Sequence, residues 1–170
     1  MGFTPNAGIM MGTRSGDIDY SMIPYLMEKS GMSLKEIDNA LNKQSGFYGI
    51  SKGKSDARDI EAGMEAGDEL CTLAQKMYVK RVVEYIAKYY VLLGGCDAIV
   101  FTAGLGENSM LTRKQIMESL EVLGVKVDEK ANDMRGEEKM VSAKDSKIPC
   151  YVIPTDEEVM IARDTYELVK

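Results

Sequence analysis

Ala98-Ile99-Val100-Phe101-Thr102-Ala103-Gly104-Leu105-Gly106-Glu107-Asn108-Ser109 is the stretch whose reading decides the fold. Its first five residues make an apolar run of strand length, two glycines then turn the chain, and Ile116, Met117, Leu120 and Leu123 fall on one helical stripe. A second unit of this kind follows, with Cys150-Tyr151-Val152-Ile153 as a buried strand leading through Pro154-Thr155 into a helix from Asp156. Between them Gly124 closes the first helix, Val125-Lys126-Val127 reads as a short strand, and a charged, weakly structured stretch at 128–139 precedes Met140-Val141-Ser142. The pattern is that of an α/β protein with parallel strands. Ligands in such proteins sit outside the carboxyl ends of the strands, so the loops at 102–109 and 154–158 are the natural site candidates.

Upstream, residues 20–93 read as helical. Pro24 sits in a first turn after Ser21, Gly31 stops that helix, and Ser33-Leu34-Lys35-Glu36 is a capping box for a second with Leu34, Ile37 and Leu41 on one face. A third, long helix is expected from about Ile60 to Leu93, its apolar face formed by Leu70, Leu73, Met77, Val82, Tyr85, Ile86, Tyr89 and Leu93, with Gly94-Gly95 ending it. Tyr78, Tyr85 and Tyr89 recur at helical spacing and read as core or interface packing. Residues 1–19 are broken by Gly2, Gly8, Gly12 and Gly16 into a loop that neither helix nor strand can cross. The expected organisation is therefore an active-site loop at 1–19, a helical section at 20–93 and a βα section at 97–170.

The 170 residues carry 21 Lys and Arg against 27 Asp and Glu, a net charge of −6, with no block of basic residues to grip phosphate backbones or an anionic membrane. No apolar run approaches the ~18 residues that span a bilayer, and a cytoplasmic protein is the expectation. Histidine is absent, which removes Ser-His-Asp triads, Cys-His pairs and His-ligated zinc from this chain's repertoire. Cys71, Cys96 and Cys150 are far apart among apolar neighbours and read as small buried hydrophobes. Any chemistry falls to carboxylates, arginines, lysines, hydroxyls, backbone N–H groups or a bound hard metal.

Each candidate residue has a plain and a functional reading. Gly104 and Gly106 either turn a strand into a helix or let backbone approach a phosphate; the full dinucleotide fingerprint fails at Ser109 and no P-loop lysine is present, so this loop alone leaves both open. Asp156-Glu157-Glu158 either complement a helix dipole or supply the one or two carboxylates that Mg²⁺ takes alongside substrate phosphates. Asp56 either caps a helix or accepts from ribose hydroxyls, with Arg58 stacking on a base. Arg14, set in Gly12-Thr13-Arg14-Ser15-Gly16-Asp17, is either a solvated surface arginine or a group placed against a transferring phosphoryl.

Taken with Gly2-Phe3-Thr4-Pro5, Met11-Gly12-Thr13-Arg14-Ser15-Gly16-Asp17-Ile18-Asp19, Ser45-Gly46, Ser55-Asp56-Ala57-Arg58-Asp59 and Ile161-Ala162-Arg163-Asp164-Thr165, the two strand-end loops resemble the acetate kinase family in order and spacing. The resemblance runs over essentially the whole chain and corresponds to the C-terminal half of that family, with the N-terminal domain absent. It implies an RNase H-like domain of the actin, Hsp70 and sugar kinase type, carrying a helical insertion. It implies reversible transfer of the ATP γ-phosphoryl group to acetate with Mg²⁺ or Mn²⁺, giving acetyl phosphate and ADP. Propionate or butyrate is the alternative acceptor, because a methylene is worth only ~1 to 3 kcal/mol of discrimination.

Carried over position by position, the resemblance makes Arg14 the transition-state arginine, Glu157 the metal carboxylate, and Pro5 one wall of the acetate methyl pocket. Asp56, Ala57 and Arg58 become adenosine contacts, and Gly104, Leu105, Gly106, Glu107 and Asn108 the loop beneath adenine and ribose. Asp156 stands where the family's motif carries asparagine, and Ala57 where it carries a larger apolar residue. The family's further active-site asparagine, aspartate, arginine and histidines precede this portion, so the expectation is a nucleotide-binding domain, inactive alone, that forms a homodimer. A non-catalytic nucleotide-binding or dimerisation module is the second class of reading.

Overall fold

A computed structural model of the chain describes residues 2–170, with the backbone alone at Glu157. The chain divides into two units, Met1–Tyr89 and Tyr90–Lys170.

In the first unit, residues 2–18 contain no helix or strand. Helix α1 (Met22–Ser30) ends at Gly31, and α2 (Leu34–Lys43) begins with a complete capping box: the Ser33 hydroxyl takes the Glu36 N–H while the Glu36 carboxylate takes the Ser33 N–H. Ile37 is the buried anchor of α2, whereas Leu34 is exposed. A short helix α3 (Gly46–Ser51), not expected from the sequence, buries Phe47 against Tyr78.

The expected long helix is two: α4 (Ala57–Glu65) and α5 (Glu69–Leu92). Gly67, at φ +81°, takes the left-handed turn that an L side chain resists, and Asp68 restarts the helix by accepting from the Leu70 and Cys71 N–H groups. The buried stripe of α5 is also not the one expected. Leu73, Met77 and Tyr89 are exposed, while Cys71, Ala74, Gln75, Tyr78 and Val79 are buried at the i, i+3, i+4, i+7, i+8 positions of a regular helix.

In the second unit, β1 (Ile99–Phe101) runs parallel to β3 (Cys150–Val152), pairing Ile99 with Cys150 and Phe101 with Val152. The edge strand β2 (Lys139–Met140) is antiparallel to β3, giving the order β1-β3-β2. Residues 103–108, expected as a turn, form the short helix α6 (Ala103–Asn108), followed by α7 (Met110–Ser119), whose Ile116 and Met117 are buried with Leu120 just beyond. Val125-Lys126-Val127, expected as a strand, forms the isolated bridge Val127–Ser142 instead. The charged stretch after it holds α8 (Glu129–Asn132), capped by Asp128. Helix α9 (Glu157–Val169) follows Asp156, whose carboxylate caps it at the Val159 N–H.

Two of the three cysteines are buried as expected, but Cys96 is only part-buried. Cys71 is more than a hydrophobe: its thiol lies 3.2 Å from both Lys54 Nζ and Asp68 Oδ2. Hydrogen bonds from Lys54 and Cys71 hold the Asp68 carboxyl well below the usual carboxylate range. Among the described residues no helix is long and apolar enough to cross a membrane.

Candidate functional site

The Arg14 loop is fixed by backbone. Met11 N–H donates to the Arg14 carbonyl, Ser15 N–H to Leu41, Ser45 N–H to Thr13, Phe47 N–H to Met11 and Tyr48 N–H to Gly12, at 2.9–3.1 Å. Thr13 Oγ1 adds a bond to the Asn42 carbonyl at 3.1 Å. These tie residues 11–15 to the end of α2 and the start of α3. The α3 start fits only because position 46 is glycine at φ +61°: a Cβ there would overlap the Met11 carbonyl oxygen and come within 2.8 Å of the Arg14 carbonyl oxygen.

At the far end of the loop, Asp17 accepts from the Gly8 N–H at 2.8 Å and from the Tyr85 hydroxyl, with Arg81 at 3.9 Å. The Tyr85 hydroxyl is the main reason its carboxyl is shifted below the ordinary value. Tyr85 therefore serves as a donor to the loop rather than as packing alone. The Arg14 side chain is part-buried and reaches Met11 Sδ, at 3.8 Å. Among the described residues no carboxylate lies within ion-pair distance of it.

Asp56 and Arg58 follow Ser55, whose carbonyl oxygen lies 2.7 Å from where a Cβ on Gly12 would be. They engage each other. Asp56 Oδ1 caps α4 through the Arg58 N–H at 2.9 Å and also takes Arg58 Nε at 3.0 Å, while Oδ2 takes Nη2 at 2.6 Å. This fork holds the Asp56 carboxyl down at about 2. Ala57 is the first residue of α4, and Pro5 is exposed in a turn closed by the Ala7 N–H on the Thr4 carbonyl.

In the second unit the parallel pairing of β1 and β3 sets their carboxyl-end loops side by side. Glu107 Oε1 accepts from the Thr155 N–H at 2.9 Å, the Thr155 hydroxyl at 3.2 Å and the Ala103 N–H at 2.7 Å, and the Thr102 and Thr155 hydroxyls bond to each other. The Thr155 N–H is the largest of the effects that lower the Glu107 carboxyl's pKa. Ala103 sits at φ +59°, a left-handed conformation that an alanine rarely adopts. Asn108 donates to the Gly104 carbonyl at 3.0 Å, so its amide shapes the loop from within. Gly106 packs on β1, where a Cβ would stand 3.2 Å from the Phe101 carbonyl carbon, whereas Gly104 has open space around it.

Among the described residues no three Asp, Glu, Cys or His side chains gather as a metal cluster. Mg²⁺ bound through one or two carboxylates with phosphates and water needs no such cluster, and the exposed Asp156 and Glu158 at the head of α9 are oxygen donors of the right kind. The Glu157 side chain, expected as the metal carboxylate, lies outside the described residues. Arg113 was missed by the sequence reading, flanked as it is by Thr112 and Lys114 on what looks like a polar face.

The model of the acetokinase family matches residues 1–163. The chain belongs to the acetokinase family. It is 49% identical over 170 residues to the acetate kinase of Halothermothrix orenii and 51% identical over 173 residues to that of Thermotoga maritima; all of the chain is covered in both, against 43% of each relative. Among solved structures it superposes on the acetate kinase of Porphyromonas gingivalis with a TM-score of 0.92 at 44% identity, covering 100% of this chain and 43% of that one. A propionate kinase from Francisella tularensis gives a TM-score of 0.90 at 42% identity, with 96% and 41% covered. The helix-rich α/β fold with its small sheet is thus that of the acetokinase family, and the chain spans about 43% of the length of these acetate kinases.

Proposed function

We propose that the chain serves reversible transfer of the γ-phosphoryl group of ATP to acetate, giving acetyl phosphate and ADP, as the nucleotide-binding half of an acetate kinase. The observation that carries this reading is Arg14: a part-buried cation on a loop locked by backbone bonds, with no carboxylate partner among the described residues. A planar guanidinium so held matches the oxygens of a carboxylate or a phosphoryl group and needs little reorganisation as charge develops on them.

The other residues take supporting parts. Gly104, with nothing near it, leaves room for a nucleotide against the backbone of the loop that Glu107 and Asn108 shape. Asp56 and Arg58 present a ribose-accepting carboxylate already paired with its stacking guanidinium. Glu157, with Asp156 beside it, would hold Mg²⁺, which when bound neutralises phosphate charge. Pro5 would border the acetate methyl. Phosphoryl transfer depends on positioning and charge more than on a covalent nucleophile, which suits a chain without histidine. The reading also places the protein in the cytoplasm as a homodimer, with exposed Tyr89, Val91 and Leu92 at the end of α5 as apolar contact. Propionate is the second acceptor, favoured by the match to the Francisella tularensis propionate kinase.

The test is calorimetric titration of ATP and ADP with Mg²⁺ into the 170-residue chain and its Arg58→Ala variant, alongside an assay for acyl phosphate with acetate and propionate. Saturable binding weakened by the variant, with no turnover by the chain alone, is the expected result. Folded protein that binds neither nucleotide would overturn the nucleotide part of the reading.

A further inference from the structure

Arg113, in the first turn of α7, is fully buried, yet no carboxylate lies within ion-pair distance of it among the described residues. Its five N–H positions are matched instead by five neutral oxygens. Nε donates to Asn132 Oδ1 at 2.8 Å; Nη1 to the carbonyls of Gly106 at 3.0 Å and Glu107 at 2.9 Å; Nη2 to the carbonyls of Asn132 at 2.9 Å and Met134 at 2.8 Å. Burying a cation without a counter-charge is costly, and it is tolerated when every donor is satisfied.

The acceptors fall into two groups that nothing in the sequence joins. Gly106 and Glu107 lie in the last turn of α6, a helix of six residues whose last carbonyls have no partner within it and which is too short to stand alone. Asn132 and Met134 belong to the segment that begins with the last residue of α8. That segment reaches back independently, because the Gly136 N–H donates to the same Glu107 carbonyl at 3.1 Å, and Asn132 Nδ2 fastens it to the Met110 carbonyl at 2.9 Å.

We propose that Arg113 is a positioning residue for nucleotide binding, setting the 103–108 loop against the 132–136 segment as a platform. This rests on the nucleotide reading of that loop. Without the guanidinium the Gly106 carbonyl loses its Arg113 donor and the Glu107 carbonyl is left to the Gly136 N–H, so the backbone that presents Gly104 and the Glu107 carboxylate is held less firmly from below. Lysine cannot replace it, having three donors on one nitrogen where five spread over a plane are used.

Hydrogen exchange and MgADP titration on the chain, its Arg113→Lys variant and an Asn132→Ala variant test this. Exchange of amides at 104–109 and 134–136 is expected to quicken by about tenfold or more in Arg113→Lys, with residues 22–51 unchanged and a smaller effect in the same direction for Asn132→Ala. The Kd for MgADP is expected to rise by roughly tenfold with the loosened loop. Unchanged exchange at 104–109 in folded Arg113→Lys overturns the proposal, as does an equal rise throughout 90–170, which would make the arginine a general core residue. An unchanged Kd beside quickened exchange overturns the positioning role. Should Arg113→Lys fail to fold, Asn132→Ala decides by the same readings. A parent chain that binds no nucleotide sinks the nucleotide reading, while exchange still decides whether Arg113 holds the loop.

Discussion

Glu107 and Thr155, 48 residues apart, are joined through one carboxylate oxygen: Glu107 Oε1 takes the Thr155 N–H at 2.9 Å while also taking the Ala103 N–H at 2.7 Å. A single acceptor thus ties the loop after β3 to the loop after β1. Its carboxyl is shifted below the ordinary 4.5, chiefly by the Thr155 N–H, so the stabilisation is present above that value and lost as pH falls through the lowered one. Glu107→Gln, whose amide oxygen accepts less strongly, should quicken amide exchange at 103 and 155 at neutral pH and flatten the acid dependence that the parent shows below 4.5. Identical acid profiles for the two proteins would remove the carboxylate from this role.

The fork between Asp56 and Arg58 can be read by titration. With Arg58 present the Asp56 carboxyl titrates at about 2, against an ordinary 3.8; its contribution to folding is complete above 3.8 and lost as pH falls towards 2. Carboxyl NMR of Arg58→Ala should show Asp56 moving up towards the ordinary value while α4 persists, because the cap to the residue-58 N–H survives the substitution. Asp56→Ala should loosen α4 as well.

Glycine at position 46 is required by space and by conformation together. Gly46→Ala places a methyl on the Met11 carbonyl oxygen and forces φ +61° on an alanine. The left-handed conformation costs ~1–2 kcal/mol and overpacking about 1–3 kcal/mol more. A lowered denaturant midpoint and weaker phosphate-side binding through Arg14 are expected. A midpoint within error of the parent would show that the loop can yield.

Ala103 poses the opposite case. At φ +59° it carries strain that Ala103→Gly should relieve by ~1–2 kcal/mol, offset by about 0.4–1 kcal/mol from the freer unfolded chain. A small rise in the denaturant midpoint is expected, and a fall would mean that the strain is compensated locally.

The thiols should separate by burial. Burial pushes the Cys150 thiol up to about 12, and Cys71 is equally inaccessible, whereas Cys96 is part-buried. A disulfide exchange reagent near neutral pH should label Cys96 first and the other two only on unfolding. Equal labelling rates in the native chain would contradict the burial of Cys71 and Cys150.

Features set by neighbours along the chain were legible in the sequence, and those set across it were not. The Ser33–Glu36 box, the stop at Gly31, the apolar strand runs at Ile99 and Cys150 and the start of the last helix at Asp156 are all decided within a few residues. The break at Gly67 was hidden because a lone glycine is tolerated inside a helical pattern, and the loose spacing of the apolar residues from Leu70 onward picked the wrong face of α5. The candidate residues stood out as types at motif spacings. Their engagements did not: Asp56 with Arg58, Tyr85 with Asp17 and Arg113 with carbonyls on two segments depend on where the folded chain brings each donor.

The contact of Gly46 with Met11 carries a consequence for inheritance. Every single-base change that alters a glycine codon's meaning writes either a stop or a residue with a side chain, and at this locus any side chain collides with the oxygen behind it. The position of Arg14 is therefore secured by a residue that offers evolution no neighbouring alternative, so drift in the loop must proceed around position 46 rather than through it.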